Sequence, residues 1–183
     1  MRIIGGEFRG RRLKGPGSKN TFTRPMLDRV RESLFNILSD RVLDTEVIDL
    51  CAGTGSIGLE ALSRGAKFCL FIEKSSQNVR TISHNINSLQ VEGRSKIVKG
   101  ELPKALKQVR QKFDLVLFDP PFALALAEET VPELIKLNLL NPGAIVVVER
   151  SKLSEDLAFS QLSLESKRII GDSVLWIFNY DKN

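Results

Sequence analysis

The sequence predicts an α/β fold with a doubly wound, mostly parallel seven-stranded sheet that ends in an antiparallel C-terminal hairpin. A short N-terminal β-hairpin and helix stand in front of it. Three observations predict this. From residue 47 onward, short apolar runs alternate with stretches whose apolar residues recur at helical spacing, the pattern of βαβ units covered on both faces. The first of these runs enters a glycine-rich turn, Gly53-x-Gly55-x-x-Gly58, a Rossmann-like strand–turn–helix junction. The last two runs, 167–170 and 174–178, flank Gly171-Asp172-Ser173 and read as a hairpin.

The elements follow in chain order. Residues 2–4 and 7–13 flank Gly5-Gly6, a two-glycine hairpin signal. Gly15-Pro16-Gly17-Ser18 has no periodicity and reads as loop. Pro25 suits the first turn of a helix, which Leu27, Val30, Leu34, Ile37 and Leu38 continue with Arg29 off the apolar stripe. Strands are expected over 47–50, 68–72, 97–98, 115–118 and 144–148. Between them lie three helical stripes: Val79, Ile82, Ile86 and Leu89; Leu102, Ala105, Leu106 and Val109; and Leu124, Ala127, Val131, Leu134 and Ile135. Trp176 and Phe178 are expected in the core. The organisation is a basic extension over 1–40 and a main domain over 41–183, without repeats or low-complexity tracts.

Composition narrows the function classes. The chain of 183 residues has 42% hydrophobic and 27% charged residues, a globular balance. A chain of this length buries about 70% of its unfolded surface and needs neither disulfide nor metal to hold a core. No apolar run approaches the ~18 residues of a membrane-spanning helix. Met1-Arg2-Ile3-Ile4-Gly5-Gly6 lacks the apolar stretch of a secretory signal, so a cytoplasmic protein is expected. Cys51 and Cys69 lie in apolar runs and read as buried thiols in a reducing compartment. His84, on a helix with Ser83, Asn85 and Asn87, reads as part of a solvated face. One histidine and two separated cysteines make no zinc-ligand set and support no Ser-His-Asp triad. The many other Glu and Lys residues read as surface.

The charge is uneven. Residues 1–31 carry nine Lys/Arg against Glu7 and Asp28, a net +7, whereas the whole chain is +5 and the remainder −2. Such a basic segment, with Arg9, Arg11, Arg12, Arg24 and Arg29, suits an anionic partner such as nucleic acid. A solvated arm with no partner has the same composition.

Two motifs carry chemistry. In the first, Asp49 ends a strand that runs through Ala52, Gly53, Thr54 and Gly55 to Gly58. The glycines permit a tight turn, close approach of a ligand to the backbone, and close helix–strand packing. Glu73 follows Gly53 by 20 residues, where a carboxylate accepts hydrogen bonds from both hydroxyls of a ribose. An acid at the head of the turn disfavours a pyrophosphate, as in NAD, and suits the cationic amino group of S-adenosylmethionine. Asp49 acting only as a cap for the turn stays open. In the second motif, the apolar strand after Phe113 meets Asp119-Pro120-Pro121-Phe122. Two prolines stiffen the turn and remove two N–H donors, leaving carbonyls and the Asp119 carboxylate as acceptors beside an aromatic face. That combination receives an exocyclic amino group while stacking the base that bears it. In a doubly wound order of 3-2-1-4-5, strands one and four are neighbours and the two motifs open onto one crevice.

With these motifs the chain resembles the class I S-adenosylmethionine-dependent methyltransferases that modify exocyclic amines of nucleobases. Met1–Gly10, Arg24-Pro25, Asp28-Arg29-Val30-Arg31-Glu32, Phe35, the segments 49–55 and 58–66, and Glu73-Lys74 resemble the bacterial 16S rRNA guanine-N2 methyltransferase family over nearly the whole chain. Cys51 stands where that family usually has Phe. Gly100-Glu101-Leu102 stands where it usually shows Gly-Asp-Ala. The resemblance implies S-adenosylmethionine as donor, S-adenosylhomocysteine as product, and no metal. The implied cofactor contacts are Asp49, Ala52, Gly53, Thr54, Gly55, Gly58, Glu73, Lys74, Glu101 and Leu102, with Glu101 the adenine-contacting carboxylate. It further implies Asp119, Pro120, Pro121 and Phe122 as the catalytic corner and a small-subunit rRNA partner in an assembling ribosomal particle. It places Arg24 and Arg29 nearest the crevice, the enzyme being a monomer that acts at guanine 966. The motifs alone also fit an adenine-N6 methyltransferase acting on DNA or RNA, and a non-catalytic NAD-type module.

Overall fold

The alternating apolar runs become a seven-stranded sheet in the computed structural model, which describes residues 1–15, 28–120 and 126–181. The strands are β1 (Glu46–Leu50), β2 (Phe68–Glu73), β3 (Ser95–Lys99), β4 (Phe113–Phe118), β5 (Leu140–Ser151), β6 (Ser163–Ile170) and β7 (Ser173–Asn179), in the order β3-β2-β1-β4-β5-β7-β6. The pairs within β3-β2-β1-β4-β5 are parallel, and β7 is antiparallel to both β5 and β6. The expected doubly wound order and C-terminal hairpin are therefore present.

Alternation along each strand sends successive side chains to opposite faces. Val47, Cys69, Phe71, Leu115 and Leu117 meet α1 (Asp28–Leu38), α2 (Ser56–Ser63) and α3 (Ser76–Leu89) on one face. Ile48, Leu50, Ile72, Val116 and Phe118 meet α4 (Leu126–Lys136) and the 100–109 segment on the other. Trp176 and Phe178 are buried as expected. Among the described residues, no helix is long and apolar enough to cross a membrane.

Three expectations are corrected. The 102–109 stripe is buried, but its backbone forms a 3-10 turn, Lys104–Gln108, headed by Pro103, because amides here reach back three residues, Leu106 N–H to the Pro103 carbonyl and Val109 N–H to that of Leu106. The glycine-paired N-terminal hairpin is reduced to one bridge, Arg2 with Arg12. The amides that would extend it are used elsewhere: Ile4 and Gly5 N–H donate to the Glu60 carboxylate (both 2.8 Å), and Glu7 and Phe8 N–H donate to Ser63. Gly6 serves this close approach, since a Cβ there would run into the Ser63 carbonyl. Cys69 is buried, but Cys51 is only half-buried at the end of its strand. Pro25, Leu27 and Leu124 lie outside the described residues.

Residues 1–15 are built into the molecule. Ile3, Phe8 and Leu13 share the core with Val30, Leu34 and Phe35 of α1 and with Leu59 and Leu62 of α2.

Candidate active site

The glycine turn follows Leu50, where the sheet's order reverses. Cys51, Gly53 and Gly55 take positive φ values of 60°, 57° and 78°. Glycine tolerates this freely, but at Cys51 it is a local strain. Two carboxylates hold the turn. Asp49 Oδ2 accepts from Gly58 N–H at 2.9 Å, tying β1 to the first turn of α2. Glu73 accepts from Gly53 N–H through Oε2 (2.8 Å) and from Ser75 N–H through Oε1 (2.7 Å). A Cβ at Gly58 would lie 2.5 Å from the Phe71 ring and 2.6 Å from Cys69 Sγ, so a side chain there would push α2 off the sheet. Ala52 and Thr54 are buried in the turn.

Asp49 is 1% exposed, and its Oδ1 has no hydrogen-bond partner among the described residues. Burial pushes its carboxyl up to about 7; the Gly58 N–H opposes this and the nearby Glu73 adds to it. The folded chain therefore keeps the Asp49 proton up to about pH 7, whereas an unfolded chain releases it near pH ~4. The contribution is whole below the lower value and is lost as pH rises through the upper one, on the order of 4 kcal/mol at most. Urea midpoints of Asp49→Asn are expected to fall less between pH 4 and 7 than those of the parent chain; equal slopes would contradict this.

β4 lies directly beside β1, with Leu50 opposite Phe118. Asp119 and Pro120 thus leave the sheet at the same end as the glycine turn, next to it. Asp119 is half-buried, and burial, Glu149 and then Asp49 hold its carboxyl well above the usual carboxylate range. The Cys51 thiol is pushed up to about 12 by burial and then by Glu73, Asp119 and Asp49, which places all three acids around one corner. Pro121 and Phe122 lie outside the described residues.

Of the remaining expected residues, Leu102 is buried, and Lys74 and Glu101 form an exposed ion pair at 3.8 Å beyond β2 and β3. Arg9, Arg11 and Arg12 are exposed on the N-terminal segment, and Arg11 also donates to the Ser88 carbonyl. Exposed Arg29 packs its guanidinium against Gly171 in the β6–β7 turn, at the sheet edge from which Asp119 emerges. Arg24 lies outside the described residues.

Comparisons with known proteins bear on the family and the fold. A family model described as conserved hypothetical protein 95 matches residues 1–179. Ribosomal RNA small subunit methyltransferase D of Haemophilus influenzae is 37% identical over 155 residues, 83% of this chain and 79% of that protein. The chain belongs to this methyltransferase family. The solved structure of yhhF from Escherichia coli has a TM-score of 0.85 and 33% identity and covers 100% of this chain and 99% of its own. An RNA methyltransferase from Salinibacter ruber, solved in complex with S-adenosyl-L-homocysteine, shares the fold at TM-score 0.68 and 17% identity over 87% of this chain and 95% of its own.

Within this family member, four residues read from sequence as surface or basic arm prove to be internal. Glu60 is fully buried in α2 and receives two backbone amides and Arg64 Nε (2.9 Å), with Arg31 Nε at 3.6 Å. Arg31 is itself fully buried and donates to the Arg2 carbonyl and to Asp28, so it adds nothing to a surface patch. Burial lowers its pKa, against the pull of Glu60. Glu149, one step past Val148 in β5, is buried and accepts from Ser173 Oγ at 2.6 Å. Asn85 is buried in α3, whereas its neighbours His84 and Asn87 are exposed as expected. The signal for Asn85 was available: it falls three residues after Ile82 and four before Leu89, on the apolar stripe.

Proposed function

We propose that this chain transfers a methyl group from S-adenosylmethionine to the exocyclic N2 of a guanine in small-subunit (16S) ribosomal RNA. The assigned position is 966, within an assembling ribosomal particle. The observation that carries the reading is the pairing of β1 with β4, which sets an acid-lined glycine turn beside the Asp119-Pro120 corner. The names of the family's relatives support the substrate class, and the Salinibacter ruber complex supports the cofactor class.

The turn fits the donor on its own chemistry. An Asp49 oxygen buried without a partner suits a cation, whose charge would favour the ionised carboxylate that burial disfavours, and does not suit a phosphate. Gly53 and Gly55 supply the positive φ values that the turn requires. When bound, S-adenosylmethionine supplies a methyl group on a sulfonium. On this reading Asp49, Ala52, Gly53, Thr54, Gly55 and Gly58 line its amino-acid end. Glu73 keeps lone pairs beyond those on Gly53 and Ser75 for ribose hydroxyls. Lys74, Glu101 and Leu102 border the adenine.

On the acceptor side, an exocyclic amine is a weak nucleophile because its lone pair is delocalised into the ring. Asp119 and the Pro120 carbonyl accept its two N–H groups and turn the lone pair towards the methyl. Orientation of this kind supplies ~7–11 kcal/mol. The raised proton affinity of Asp119 suits it to take the amine proton, which becomes acidic only as the methyl arrives. Pro121 stiffens the corner, and Phe122 stacks the base, worth about 1–3 kcal/mol. The target guanine enters unpaired or flipped out. Residues 1–40 hold the RNA backbone through Arg9, Arg11, Arg12, Arg24 and Arg29, and residues 41–183 carry the chemistry, in a cytoplasmic monomer.

Thermal shift tests the donor half of this reading. S-adenosylhomocysteine is expected to raise the melting temperature and NAD to leave it unchanged; the reverse would discard the methyltransferase assignment.

A further inference from the structure

Asn85 is a buried amide that joins the N-terminal segment to the glycine turn. It is fully buried on α3. Its Nδ2 donates to the Thr54 carbonyl at 3.0 Å and to the Lys14 carbonyl at 3.1 Å, and its Oδ1 accepts from Lys14 N–H at 2.8 Å. Three bonds of this sense require a side chain with two donors and an acceptor on one short stem. Aspartate lacks the donors, and serine offers only one. A second link runs in parallel: Thr54 Oγ1 donates to Met1 Sδ at 3.8 Å, and the Met1 carbonyl accepts from Leu13 N–H at 3.1 Å. Thr54 is thus held by the first residue of the segment and, through Asn85, by its fourteenth. From Lys14 the chain continues towards Lys19 and Arg24.

We propose that Asn85 is a positioning residue that couples the basic N-terminal segment to the glycine turn, so that a guest in the turn fixes where the segment holds RNA. The proposal rests on the methyltransferase reading above, in which the turn takes the donor and the segment takes the RNA. The coupling acts through order. A guest lying against Thr54 restricts the turn's backbone. The shared amide passes that restriction to Lys14, and a partner meeting an already ordered segment pays less to bind. Asn85 touches neither guest; it acts through Thr54 and Lys14.

The test is backbone hydrogen exchange over residues 1–15 of the full chain, with and without S-adenosylhomocysteine, paired with transfer kinetics on small ribosomal particles. In the parent chain S-adenosylhomocysteine is expected to slow exchange in this segment. In Asn85→Ala that protection is lost, and the KM for particles rises about fivefold or more while kcat stays within about twofold. Lys14→Pro removes the Lys14 N–H that Asn85 holds, together with one exposed positive charge, leaves the core amide in place, and is expected to show the same loss of exchange protection, the readout that the missing charge does not confound. It decides the matter should Asn85→Ala fail to fold. Equal protection in the parent chain and in Lys14→Pro would overturn the proposal, as would a parent chain that binds S-adenosylhomocysteine with no change in the segment. A parent chain that gives no thermal shift with S-adenosylhomocysteine overturns the methyltransferase reading itself, a result distinct from both.

Discussion

Replacing Asp119 by alanine is expected to abolish methyl transfer, by at least about a thousandfold in kcat, while S-adenosylhomocysteine affinity stays within a few-fold. The carboxylate leaves the sheet one residue past Phe118, beside the glycine turn but outside the hydrogen bonds that hold it. Its loss removes the acceptor for the amine and leaves the donor's seat whole. The fold should not suffer. Asp119 is a crowded acid whose charged form is disfavoured by burial, Glu149 and Asp49, so its removal relieves repulsion. The melting temperature is expected to hold or rise. A variant that loses its fold, or loses S-adenosylhomocysteine binding along with transfer, would contradict the role given to Asp119. The parent enzyme is also expected to slow as pH falls through the raised Asp119 value, because the protonated carboxyl can no longer take the amine proton.

The largest effect on stability is expected at Glu60. Its carboxylate lies wholly inside α2, accepts Ile4 and Gly5 N–H at 2.8 Å each, pairs with Arg64, and balances the buried Arg31 guanidinium. Glu60→Ala strands that cation and two amides. Breaking a buried pair from one side costs about 3–5 kcal/mol. The urea midpoint should fall accordingly, and residues 1–15 should lose amide protection because their anchor is gone. Removing both charges together, as Arg31→Met with Glu60→Leu, leaves no ion uncompensated and is expected to recover much of the loss. A Glu60→Ala chain within ~1 kcal/mol of the parent would show that the network does not hold the segment.

The sheet and its switch point were legible in sequence for a simple reason. Strands buried on both faces, such as 115–118 and 144–148, must be continuously apolar, and the glycine turn and the Asp-Pro-Pro sequence interrupt such runs at the carboxyl ends, where the strand order reverses. Asp49, Glu73 and Asp119 were legible because each is an acid at the end of such a run.

What escaped was polar and internal. Glu60 looks like any helical glutamate until α2 proves buried on every side. Arg31 counts as arm charge until Glu60 draws it inward. Gly5-Gly6 suggests a tight hairpin, but the amides around it turn to Glu60 and Ser63, a long-range competition that local turn chemistry cannot display. The 102–109 stripe was right about burial and wrong about helix type, because spacing records which side chains face the core and not which carbonyl each amide reaches.

The most direct test of the account supplies methyl-labelled S-adenosylmethionine to the enzyme with small ribosomal particles that lack the modification, then digests the RNA and identifies the labelled nucleoside by mass. The account predicts label in N2-methylguanosine from a single site. Label in N6-methyladenosine, or no label from an enzyme that binds S-adenosylhomocysteine, would contradict it.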